Sequence, residues 1–174
     1  MRARLKVCGL RDRGGLEAAA AAGAAYLGFV FFPPSPRHLS AAEARALALL
    51  APPGRAKVGL FVDPDDGTLD AVLAEVPLDM IQLHGRESPA RVREVRARGG
   101  LPVMKAVGVA EAADLRRARA YEGAADQLLL DAKAAPGARL PGGNGVAFDC
   151  WGGGAGGCPG CWRGGSRPPT WPRR

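Results

Sequence analysis

What this 174-residue chain lacks narrows its function before anything it contains. No apolar run approaches the ~18 residues that a membrane-spanning helix needs. The opening MRARLKVCGLRD has a charged head but no apolar core behind it before Gly9 and Arg11, so it does not read as a secretory signal. The expectation is a cytoplasmic protein without a membrane partner, its cysteines kept reduced. Lysine is scarce: Lys6, Lys57, Lys105 and Lys133 stand against twenty arginines. The net charge of +7 suggests a nucleic-acid partner only where the basic residues cluster. They do not. Four of the arginines (Arg163, Arg167, Arg173 and Arg174) lie in residues 150–174, which contain no acid, and the rest alternate with acids, as in REVRAR (93–98) and DLRRARAYE (114–122). Solvated helix faces are the expectation, and no nucleic acid.

The first 149 residues show what is present. Short β-type runs (3–8, 26–32, 56–62, 79–84, 102–107 and 126–131) alternate with helical stretches rich in Ala, Leu, Glu and Arg (16–24, 41–51, 66–76, 88–100 and 110–124). The strands recur every 20–30 residues or so, about the length of one βα unit. They are apolar throughout rather than alternating, as strands buried on both faces are. Ser40 and Ser88 stand where helix caps are wanted, with Pro89 at a first turn. Six βα repeats predict a parallel sheet, and periodicity alone leaves a closed barrel and a doubly wound sheet both open.

In such folds chemistry gathers at the C-terminal ends of the strands. Those ends carry Cys8, residues 32–37, Asp63, Gln82 with His84, Lys105, and Asp131. A thiol and a carboxyl facing each other across a barrel mouth can serve as base and acid in a proton transfer. Cys8 also reads as a small buried hydrophobe, and Asp131 as a helix cap. Arg37 also reads as a solvated loop cation. His84 and Gln82 also read as ordinary polar residues of a strand end.

Five short segments carry a family resemblance. Leu5-Lys6-Val7-Cys8-Gly9-Leu10 matches K-[IV]-C-G-[LI]. Leu27-Gly28-Phe29-Val30-Phe31 with Ser35-Pro36-Arg37 matches a second strand and an S-P-R loop. Gln82-Leu83-His84-Gly85 matches Q-L-H-G, Leu129-Leu130-Asp131 matches L-L-D, and Gly142-Gly143-Asn144-Gly145 with Phe148-Asp149 matches G-G-[TS]-G and the start of F-D-W. In this order, over residues 4–149, the chain resembles the phosphoribosylanthranilate isomerases of tryptophan biosynthesis. The resemblance implies a (β/α)₈ TIM barrel of which about six βα units are present and strands 7 and 8 are missing. It implies an aldose-to-ketose isomerisation of a small phosphosugar, needing no metal or other cofactor, by a monomer or homodimer. It makes Asp131 the general acid and Cys8 the general base, sets Arg37 on the substrate's carboxylate, and lines the pocket with Gln82 and His84. The rival barrel enzymes are the histidine-pathway isomerase and the indole-glycerol-phosphate synthase, with an Asp or a Lys where Cys8 stands. A non-catalytic fragment is the remaining alternative, and its unpaired sheet edges would invite aggregation.

Residues 150–174 break the pattern. They hold eight glycines, four prolines and all three tryptophans, and no Leu, Ile or Val. So little aliphatic surface cannot offset the entropy of folding, and the expectation is a non-native, disordered tail outside a 1–149 domain. Cys158-Pro159-Gly160-Cys161 has the spacing of half a metal or redox site with no second half. A shifted reading frame accounts for the whole tail. Joining the third base of each codon to the next two makes Cys161-Trp162 give Leu, Trp171-Pro172 give Ala and Asp149-Cys150-Trp151 give Leu-Leu. The permitted reading, L-A-G-G-L-T-P-x-[ND]-V-A, resembles the same family's seventh-strand phosphate loop.

Overall fold

The computed structural model describes residues 4–133, which form five βα units in chain order followed by a sixth strand. The strands are β1 (Lys6–Cys8), β2 (Tyr26–Val30), β3 (Ala56–Phe61), β4 (Met80–Leu83), β5 (Val103–Val109) and β6 (Gln127–Ala132). They make one sheet in the order β1-β2-β3-β4-β5-β6, every neighbouring pair parallel. The connecting helices are α1 (Arg13–Ala21), α2 (Ala41–Leu50), α3 (Asp66–Glu75), α4 (Pro89–Gly99) and α5 (Ala112–Ala118), the last followed by a 3₁₀ turn at Arg119–Tyr121. The sheet is strongly curved. The Gln127 side-chain amide on β6 donates to the Tyr26 hydroxyl on β2 at 3.3 Å, although three strands lie between them in the sheet. This is a half-barrel of sequential parallel strands. The sequence elements assigned to residues beyond 133, including the glycine-rich 141–145 loop and the 150–174 tail, lie outside the described residues.

Local chemistry explains the helix starts. Ser40 caps α2 in a complete capping box: its hydroxyl accepts from the Glu43 N–H, and the Glu43 carboxylate accepts from the Ser40 N–H at 2.8 Å. Ser88 caps α4 with Pro89 at the first turn, as the sequence predicts. Helix α1 begins three residues before the predicted Leu16. The Asp12 carboxylate accepts from the Gly15 N–H at 2.7 Å, a cap strong enough to carry two glycines into the first turn.

Strand alternation sorts side chains to two faces. The outer face (Leu27, Phe29, Phe61, Ile81, Leu83 and Val103) packs against Leu16, Leu47, Leu69, Val92 and Val95 of the helices in one continuous core. The inner face contributes a smaller cluster of Tyr26, Val58, Met80 and Met104. The apolar character of β2 and β4 is borne out, since every residue of both is buried. It fails at the margin: on β6 the outer-face Leu128 and Leu130 are 41% and 45% exposed. Several helix arginines meet neighbouring acids. Arg91 meets Asp66 at 2.7 Å, and Arg98 meets Asp66 and Asp70 at 2.5 and 2.8 Å, tying α3 to α4 across exposed surface.

Candidate active site

The inner face rises to a cavity of about 220 Å³ at the C-terminal ends of the strands. Its walls include all five of the sequence-predicted residues: Cys8, Arg37, Gln82, His84 and Asp131. Register explains the convergence. Cys8 pairs with Gly28, Leu60 with Gln82, and Gly108 with Asp131, so residues remote in sequence share one face.

Each position has a local cause. Cys8 ends β1 and is partly buried. Arg37 sits in the loop after β2, where the Ser35 hydroxyl accepts from the Arg37 N–H at 3.1 Å and fixes the turn. The Arg37 stem crosses Gly9 so closely that a methyl there would lie 2.4 Å from Arg37 Cδ, and Gly9 has φ +83°. No other residue type suits that point. The loops after β1 and β2 are latched as well, the Arg11 guanidinium donating to the Pro36 carbonyl at 2.9 Å.

Across the mouth, His84 Nε2 lies 3.3 Å from Asp131 Oδ2. His84 Nδ1 lies 3.5 Å from the Gln82 amide nitrogen, and Gln82, 1% exposed, has its Oε1 buried with no partner among the described residues. A buried amide oxygen aimed into a cavity costs free energy unless a ligand donor meets it. Gln82, His84 and Asp131 therefore make one polar chain spanning β4 to β6, with acceptor capacity to spare.

Two residues from the strand-end set do not face the cavity. Lys105 is on the outer face, paired in register with Leu83 and Leu128, and is 2% exposed. Its ammonium donates to the Glu87 carboxylate at 2.9 Å and to the carbonyls of Gly85 and Ala106 at 2.8 Å each. Glu87, equally buried, accepts in turn from the N–H groups of Asp63 and Gly85. Asp63 is likewise structural: its carboxylate accepts from the Arg86 N–H at 2.6 Å. A methyl on Gly85 would lie 2.4 Å from that carboxylate, which accounts for the glycine after His84. Tyr121 closes the cluster, donating to the Glu87 carbonyl at 2.9 Å; burial and then the Glu87 charge push its phenol up from the ordinary value. The odd-even pattern of β5 carries the needed signal, since Lys105 alternates with the inward Met104. One residue that strand-end reasoning passes over does face the cavity. Lys6 lies two residues before Cys8 and so on the same side of β1.

With this geometry in view, comparison with known proteins is informative. The profile of the N-(5′-phosphoribosyl)anthranilate isomerases matches residues 5–152. The chain belongs to that family. The match runs three residues past the expected domain boundary at 149. The isomerase of Cereibacter sphaeroides is 64% identical over 146 residues, which is 84% of this chain and 69% of that protein. The crystal structure of phosphoribosyl anthranilate isomerase from Thermotoga maritima superposes with a TM-score of 0.71 at 34% identity, covering 77% of this chain and 63% of that one. A phosphoribosyl anthranilate isomerase in complex with reduced 1-(o-carboxyphenylamino)-1-deoxyribulose 5-phosphate gives 0.69 at 34% identity, over 75% and 66%. The chain spans about two thirds of the length of these isomerases. Their TIM-barrel likeness supports the half-barrel as part of such a fold.

Proposed function

We propose that this chain carries the acid–base machinery for an aldose-to-ketose rearrangement of N-(5′-phosphoribosyl)anthranilate to 1-(2-carboxyphenylamino)-1-deoxyribulose 5-phosphate, in the cytoplasm and without a cofactor. One observation carries the reading: a thiol, a carboxyl and a guanidinium from β1, β6 and the β2 loop line a single strand-end cavity. Asp131 protonates the ribose ring oxygen, and the ring opens to a Schiff base. Cys8 removes the proton from C2′, and the resulting enolamine tautomerises to the ketone. His84, at 3.3 Å, orients the Asp131 carboxyl. Arg37 forks onto the anthranilate carboxylate, a match that a planar guanidinium makes and an ammonium does not. Gln82 offers its unpartnered oxygen to a substrate hydroxyl.

In barrels of this kind the phosphate is gripped by loops after strands seven and eight. Remote binding energy of that sort positions the reacting centre. The test is a side-by-side assay of the 174-residue chain and of the same chain extended in the shifted frame, following loss of the substrate's anthranilate fluorescence. The extended chain should turn over substrate and the 174-residue chain should be far weaker. An extended, folded chain with no turnover would sink the proposal.

A further inference from the structure

Lys6 is a partly buried cation on the cavity wall, and among the described residues it makes no ion pair or side-chain hydrogen bond. Its position is made by Gly28. A methyl built there would lie 3.0 Å from Cys8 Sγ and 3.2 Å from Lys6 Nζ, as well as 3.0 Å from the Cys8 backbone. The thiol and the ammonium thus converge on one vacant point, and their separation is no greater than those two distances together. Gly28 is the strand neighbour that Cys8 pairs with, so the space comes from the register itself.

We propose that Lys6 is the charge partner of Cys8, a positioning residue that holds the sulfur as the anionic base that abstraction at C2′ requires. The proposal rests on the isomerase reading of the cavity. A thiolate, not a thiol, takes a proton, and a nearby ammonium favours the anion. The other charged or titratable groups on the cavity wall are Arg37 from the β2 loop, His84 from β4 and Asp131 from β6. His84 and Asp131 are engaged with each other, which leaves Arg37 as the rival cation. Lys6 shares the strand of Cys8 and the pocket made by Gly28, whereas the Arg37 stem lies over Gly9.

The experiment is alkylation of Cys8 by iodoacetamide, in which a sulfur–carbon bond forms and iodide leaves. It is read peptide by peptide so that Cys150, Cys158 and Cys161 are not counted, and it requires no isomerase turnover. At a separation of about 6 Å or less in a partly wet site, loss of the cation should slow the reaction roughly three- to tenfold near pH 7. Lys6→Met should show that loss of rate. Lys6→Arg should restore it, and Arg37→Gln should leave it near the parent. Unchanged alkylation in Lys6→Met would overturn the proposal, and so would equal slowing in Lys6→Met and Lys6→Arg, which would mark a packing role. A larger effect from Arg37→Gln would transfer the role to Arg37. Because alkylation is scored apart from turnover, failure here and failure of the isomerase reading give different results.

Discussion

Replacing Lys105 by Met tests the outer layer more severely than any change in the cavity. The ammonium makes three short contacts, at 2.8, 2.8 and 2.9 Å, in a place that is 2% exposed. Methionine fills most of the volume, so the packing loss is small and the electrostatic loss dominates. The Glu87 carboxylate is left buried without its counter-charge, and the Gly85 and Ala106 carbonyls lose a donor. Breaking one side of a buried pair costs about 3–5 kcal/mol, against about 5–15 kcal/mol for a whole domain. Changing Glu87 to Gln in the same chain removes the stranded charge while Oε1 still accepts from the Asp63 and Gly85 N–H groups. The double variant should recover about 1–2 kcal/mol of the loss, a coupling expected of contacting groups. Urea unfolding followed by far-ultraviolet circular dichroism is the assay, because that signal comes from the helices and strands that the pair braces. A Lys105→Met chain within about 1 kcal/mol of the parent would refute the reasoning, since that is the size of an exposed pair. So would a double variant no better than the single.

Four further outcomes are expected. In the frame-extended chain, Cys8→Ala and Asp131→Asn should each lower kcat by about 10²–10⁴-fold with the fold retained, and near-full turnover in Cys8→Ala would return that residue to a packing role. Arg37→Lys should chiefly raise KM, read from steady-state kinetics, because the forked carboxylate contact becomes a single one. Acid should melt the helix starts: hydrogen bonds from Ser40 hold the Glu43 carboxyl below its ordinary value, those from Thr68 do so for Asp65, and those from Arg91 for Asp66. Folded-state values below the unfolded ones contribute stability above about pH 4 that is lost as pH falls through them, so a melting temperature flat from about pH 5 to pH 2 would contradict the cap assignments. Sequencing of the gene and its transcript around codons 146–151 should show one base lost or two gained, and a confirmed frame ending after Arg174 would remove the frameshift proposal.

The sequence made the site more legible than the surroundings that hold it. Cys8, Arg37, Gln82, His84 and Asp131 stand in short segments at strand ends, and parallel register alone is enough to bring such ends together. Lys105 was misplaced because strand-end reasoning ignores alternation. It is two residues beyond the outward Val103 and one beyond the inward Met104, so it turns to the helices. The Glu87–Lys105–Tyr121 cluster was illegible for a different reason: its members come from the β4–α4 loop, β5 and a 3₁₀ turn, and no spacing rule links three such elements. Helix α1 began early because a side-chain cap at Asp12 outweighs the poor helix propensity of Gly14 and Gly15, which propensity alone would exclude.

The two faces of the sheet divide stability from chemistry, and this bears on how the six-stranded half-barrel should behave. Sequence reasoning alone expects unpaired edges to dominate and drive aggregation. The large core, however, lies between the outer face and helices α1 to α4, and each of its elements has its partner within residues 4–133. Among the described residues the inner cluster is small by comparison, four buried residues and a few neighbours. Hydrophobic burial scales with apolar area removed from water. Most of the favourable term among the described residues is therefore local to the outer side of the βα units. Among the described residues, exposed large apolar side chains remain at Leu128 and Leu130 on β6, at Leu5 just before β1, and at Leu49 and Leu50 at the end of α2. The six strands described can therefore retain a cooperative outer core, while the inner face carries Cys8 and Asp131 on the wall of the cavity.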